Sequence, residues 1–113
     1  MIGRDQELFG SRNRTAALLA ISLLEESYPR ELATVLGVRL YTVQTILASL
    51  EREGVIVSRL LGRTRRVSLN PRYFAYQELK SLLSKLGRQD LALQRSLASR
   101  RRRPRQVGKP GLS

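Results

Sequence analysis

Apolar residues recur at helical spacing from residue 11 to residue 53, give way to a β-rich run after Gly54, and resume helical spacing from residue 70 to residue 86. Four helices and one hairpin follow from that pattern. Ser11 is placed to cap a first helix reaching about Glu26, with Ala17, Leu18, Ile21 and Leu24 on one face. Leu19 and Leu23 widen the stripe beyond a single face. Such a helix needs a second partner, and two readings stay open: a deeply buried core helix, or a helix shared with a second subunit. Ser27, Tyr28 and Pro29 break it, and a second helix turns Leu32, Val35 and Leu36 inward until Gly37 stops it. The third helix, from Leu40 to about Glu53, buries Leu40, Val43, Ile46, Leu47 and Leu50. Val55 to Leu61 and Arg65 to Leu69 then form two strands around a turn at Gly62, Arg63 and Thr64, with Val67 and Leu69 inward. Asn70 and Pro71 make a cap and first-turn pair for a fourth helix, which Gly87 closes after Leu86. The fold class expected is mainly α with a small β-hairpin. Residues 1–86 form the folded domain, and 87–113 a basic tail, weakly helical over Asp90 to Ser99 and then disordered.

Within this order, the spacing from Arg30 to Gly54 is the most specific feature. Ala33, then Gly37 four residues on, Val43 six further and Ile46 three after that have the spacing of a helix-turn-helix. Each position has a steric reason: a small residue where two helices touch, a Gly able to take positive φ, and apolar residues on the inner face of the second helix.

Charge changes the picture next. The chain of 113 residues carries 21 Lys and Arg against 9 Asp and Glu, a net charge of +12, which implies a polyanionic partner. Eight of these cations, against one Asp, fall in residues 87–113. There is no Cys and no His, so thiolate and imidazole metal sites and the usual nucleophile–base pairs cannot be built. No two carboxylates stand in a catalytic pattern, so an enzyme is not expected, nor any cofactor or metal. Asp5, Glu7, Glu25 and Glu26 are the acids available to an oxygen-rich site, and their spacing does not argue for one. The N-terminus lacks a signal-peptide core and no apolar run approaches the ~20 residues of a membrane span, so a cytoplasmic protein without membrane contact is the expectation.

The third helix leaves Arg39, Tyr41, Thr42, Gln44, Thr45, Ala48 and Ser49 outside, with no acid from Arg39 to Ser49. Such a face suits phosphates and base edges, because its side chains donate hydrogen bonds or touch thymine methyls. The hairpin carries Arg59, Arg63, Arg65 and Arg66, a crowding that phosphates relieve, and a cationic tip also suits a minor groove.

Helix, helix-turn-helix and basic hairpin in this order resemble the winged helix-turn-helix transcription regulators, nearest to the ArsR-type group. LFGS with Arg14, RELATVLGV, VQTILASLEREGVIVSR and GRTRRVSLNP carry the likeness, which covers about Leu8 to Leu86. The resemblance implies a winged helix-turn-helix with an additional C-terminal dimerisation helix, and a homodimer bound to double-stranded DNA. Arg39 to Ser49 would lie on the major groove and Arg63 near the wing tip. Dimerisation would fall to Leu19 and Leu23 on the first helix and to Tyr73, Tyr76, Leu79, Leu83 and Leu86 on the fourth, unless the fourth helix only covers the back of a monomer. The chain departs from the pattern in two places. Arg39 stands where a Ser or Thr cap is usual, either forfeiting about 1 kcal/mol or serving a phosphate instead, and Leu60 and Leu61 lie beside the wing tip where polar residues are usual. Without Cys or His, the metal sensing of the ArsR group is not carried over, and a small-molecule effector has no signature. The function expected is a dimeric repressor reading bases through the third helix. The alternatives are a winged-helix module that binds protein or RNA, and a non-specific DNA-binding protein.

Overall fold

In the computed structural model of the chain, which describes residues 8–102, Ser11 opens the first helix by accepting a hydrogen bond from the Arg14 N–H at 3.1 Å. This helix, α1 (Arg12–Leu24), is enclosed nearly all round: Thr15, Ala17, Leu18, Leu19, Ala20 and Ile21 are all buried. The second partner that its wide apolar surface requires is therefore the chain itself. It ends at Leu24, two residues earlier than the sequence suggests, and its C-cap Glu25 has a φ of 71°, the one positive value among the described non-glycine residues. Helix α2 (Pro29–Leu36) starts on its proline and buries Leu32 and Val35. Gly37 stops it in the left-handed region, its N–H donating to the Ala33 carbonyl at 2.9 Å. Helix α3 (Leu40–Arg52) follows with its axis turned by 116°, burying Val43, Leu47 and Leu50.

Strands β1 (Ile56–Leu61) and β2 (Thr64–Leu69) pair antiparallel from Ile56 opposite Leu69 to Leu61 opposite Thr64, so Gly62 and Arg63 alone make the turn. Gly62, at φ 68°, takes the positive angle that the first residue of such a connection favours. Ser27, between α1 and α2, adds a two-hydrogen-bond bridge to Val67 at 3.0 and 2.8 Å and fastens the hairpin to the helices.

The C-terminal third departs from the sequence expectations. The fourth helix, α4 (Tyr76–Gln89), begins at Tyr76 and not at Pro71. Asn70 instead caps a turn, accepting from the Arg72 N–H, and its amide donates to the Gly54 carbonyl, both at 2.9 Å. Nor does Gly87 terminate the helix. It is buried within α4, where an added Cβ would lie 2.9 Å from Leu23 Cδ1, so it is a close-packing glycine. A fifth helix, α5 (Leu91–Arg102), is opened by the Asp90 carboxylate, which accepts from the Leu93 N–H at 3.0 Å. Leu93 and Leu97 are buried in the common core, and Ser96 Oγ donates to the Val35 carbonyl on α2 at 2.9 Å. The domain boundary expected after residue 86 therefore falls inside the packed body, and the helix at 91–102 is a core element. The expected disordered tail from residue 103, and Asp5 and Glu7 of the leader, lie outside the described residues.

The described chain is thus five helices and a two-stranded antiparallel hairpin, compatible with a winged-helix arrangement. Leu18, Ile21, Leu32, Leu47, Leu50, Ile56 and Leu83 form the centre of its core. Among the described residues no single helix is long and apolar enough to cross a membrane.

Candidate nucleic-acid interface

Helix α3 presents Arg39, Tyr41, Gln44 and Thr45 to solvent, Tyr41 at 76% exposure, with Thr42 half-buried beside them. The exposed Thr45 donates its hydroxyl to the Tyr41 carbonyl one turn back at 3.0 Å. Arg39 occupies the N-cap with extended backbone and makes no capping hydrogen bond, as its side chain dictates. Tyr28 likewise leaves the start of α2 without a side-chain cap. Two helix N-termini with no capping side chain thus stand at this end of the molecule, and each favours an anion.

The hairpin arginines are not equivalent. Arg59 Nη2 pairs with Glu26 at 2.8 Å, and Arg65 pairs with Glu51 of α3. Glu51 also accepts from Ser58 Oγ at 2.6 Å, so one carboxylate ties both strands to α3. The Arg66 guanidinium lies 5.2 Å from the centre of the Tyr28 ring, with its Nε buried and unpartnered. Arg63, exposed at the turn, makes no ion pair or hydrogen bond among the described residues.

Between the starts of α2 and α3 and the inner side of the hairpin lies a groove of about 590 Å³. Tyr28, Pro29, Arg30, Leu40, Gln44, Arg63, Thr64, Arg65 and Arg66 line it. Four arginines and no acidic residue line it, Arg65 being paired with Glu51, so the lining carries a net positive charge that suits a chain of phosphates. Arg30 and Tyr28 were not singled out from the sequence. The available signal was Arg30 directly after the helix-starting Pro29, which places a cation beside a helix N-terminus.

Ser49, one turn on from Thr45, does not line this groove. It is half-buried and accepts from Arg14 Nη1 at 2.8 Å, while Arg14 Nε donates to the Phe9 carbonyl at 2.7 Å and Arg14 Nη2 pairs with Glu53. Ser49 thus holds α3 against α1 and the residues before it, which is a positioning role.

The residues expected at a dimer contact divide as well. Leu19 and Leu83 are buried in the chain's own core and are not available to a partner. Leu23, Tyr73, Tyr76, Leu79 and Leu86 are half-buried. Leu23 is pressed against Gly87. The large apolar side chains that α4 and its approach leave in solvent are Phe74, at 91% exposure and tilted against Tyr73 with ring centres 5.0 Å apart, and Leu82. Comparison with known proteins finds no protein family, no curated protein and no solved structure that matches this chain.

Proposed function

We propose that the chain is a sequence-specific double-stranded DNA-binding regulator of the winged helix-turn-helix type, acting as a homodimeric repressor. The observation that carries this reading is the acid-free groove with four arginines, set between an acid-free polar helix face and the hairpin. Its support is geometric. The 116° turn between α2 and α3 falls within the ~90–120° of helix-turn-helix pairs. Tyr41, Thr42, Gln44 and Thr45 stand on the outer surface of α3, where a helix seated in the major groove meets base edges. Arg30, Arg63, Arg65 and Arg66 line the path that a phosphate backbone would take beside it. A second copy would pack where α4 and its approach expose Leu82 and Phe74.

Selection from a random pool of duplexes tests the reading. The wild-type protein is expected to enrich one two-fold sequence. Replacing Thr42 or Gln44 shifts which sequences are enriched. Replacing Arg63 and Arg65 by Ala weakens binding and flattens its salt dependence by about 0.9 in slope for each phosphate no longer neutralised. Binding only at low salt, with no sequence enriched, would favour a non-specific or protein-docking role and set the regulator reading aside. Identical selection by the Thr42 and Gln44 variants would remove α3 as the reader.

A further inference from the structure

Leu60 and Leu61 sit at the hairpin tip, 73% and 50% exposed, immediately before the Gly62–Arg63 turn. As consecutive residues of one strand they project from opposite faces of the hairpin. A flat partner surface covers one face only. Covering both leucines requires a slot that takes the tip from two sides.

Each leucine has a cation on its own face. Arg65 stands directly across from Leu60 in the strand register, and Arg59 lies two residues behind Leu61 on the same strand. Arg63 occupies the turn between them with no ion pair among the described residues. From apex to base, the tip therefore carries the Arg63 cation and then one apolar side chain per face, with Arg65 level with Leu60 and Arg59 two residues behind Leu61; in the free protein these two arginines are held by Glu51 and Glu26. The DNA minor groove offers the complementary order: a floor of strongly negative potential, apolar sugar walls, and phosphates along both rims.

We infer that this tip enters the minor groove as a wedge and bends the duplex. The groove is about 6 Å wide in B-DNA, whereas a hairpin with a leucine on each face is thicker, since the side chains of packed sheets hold them about 10 Å apart. Entry therefore opens the groove and partly unstacks the base step beneath it, as apolar wedges do in minor-groove proteins. Arg63 meets the floor, Leu60 and Leu61 press the sugar walls, and Arg59 and Arg65 exchange Glu26 and Glu51 for the rim phosphates. Flexible pyrimidine–purine steps are then favoured under the wing although no side chain reads them.

The inference rests on the duplex-binding reading above, and its test separates the two. A duplex enriched from the random pool, labelled at both ends for energy transfer, is bound by wild-type protein and by the double variant Leu60→Ser, Leu61→Ser, whose fold is checked by circular dichroism. Wild type is expected to bend the duplex within the range of about 20–90° typical of wedge proteins. The variant holds the same site with its DNA straight. Exchanging a TA step under the wing for GC lowers wild-type affinity several-fold and leaves the variant's unchanged. A straight duplex under wild type, or an undiminished bend under the variant, overturns the wedge while leaving α3 as reader. An undiminished bend together with a lowered oligomeric state of the variant assigns the leucines to a contact between copies and likewise overturns it. Failure to bind any duplex overturns both readings.

Discussion

Glu51 of α3 and Arg65 of β2 form an ion pair that joins the hairpin to the third helix. Both side chains are about one-third exposed, at 34% and 36%, and Ser58 Oγ donates to the other carboxylate oxygen. A pair this exposed contributes no more than about 1 kcal/mol to stability. Its larger effect is on Arg65, which cannot give its full charge to a phosphate while Glu51 holds it. Changing Glu51→Gln should lower stability by less than about 1 kcal/mol. On the DNA reading it should also steepen the slope of log K against log salt by about 0.9. Anisotropy titrations at four salt concentrations measure that slope, and an unaltered value would place Arg65 away from the phosphates.

Arg14 is the stronger of the long-range ties to α3. Its side chain is 20% exposed, and its guanidinium serves Phe9, Ser49 and Glu53 together. Arg14→Met keeps most of the stem while stranding the Phe9 carbonyl and the Ser49 hydroxyl, a loss of about 1–3 kcal/mol in urea unfolding. Ser49→Ala should show a smaller loss, about 1 kcal/mol, with the selected DNA sequence unchanged. Stability unaffected and selection altered would instead make Ser49 a base-contacting residue.

At Gly87 two effects oppose each other. Alanine gains about 1 kcal/mol of helix propensity over glycine, but its Cβ would stand 2.9, 3.1 and 3.2 Å from three carbons of Leu23. Overpacking of that kind costs about 1–3 kcal/mol, so Gly87→Ala should be destabilising by about 1 kcal/mol. Adding Leu23→Ala to Gly87→Ala should abolish the overpacking part. A double-mutant cycle without coupling between the two sites would refute the contact.

Leu97 tests whether α5 belongs to the body. It is 1% exposed, in the same cluster as Leu32 and Val35. Leu97→Ala should cost about 2–5 kcal/mol, the range of fully buried leucines. A chain ending at Gln89 should lose its cooperative thermal transition. Retention of a sharp transition by that truncated chain would restore the boundary near residue 86.

The N-terminal two thirds of the fold were legible because local chemistry and tertiary structure agree there. Ser11 caps, Pro29 starts, Gly37 stops and Gly62 turns, each for a reason contained within a few residues. The rest was hidden where one residue type serves two purposes. Asn70 and Pro71 have the chemistry of a helix start and make a turn instead, because the Asn70 amide is drawn to Gly54. Gly87 looks like a helix stop and is a point of close packing. Helix α5 offers only Leu93 and Leu97 to the core, a short signal submerged in arginines. In the candidate interface, the face of α3 and the hairpin arginines could be read from spacing and charge. The partners that restrain Arg59, Arg65 and Ser49 lie 33, 14 and 35 residues away, beyond the reach of any local pattern.

The hydrogen bond from Ser96 to the Val35 carbonyl spans 61 residues of chain. Helix α1 precedes α4, on which it packs most extensively, and α5, which closes over α2 and α4, follows later still, so a nascent chain carries a helix that is apolar on nearly every side and lacks part of its covering. Closure of the interior is therefore a late, long-range event, slow by the measure of its sequence separation, and until Leu97 arrives the exposed surface invites association with other chains. The order of synthesis, as much as the strength of any contact, decides when this protein first becomes folded.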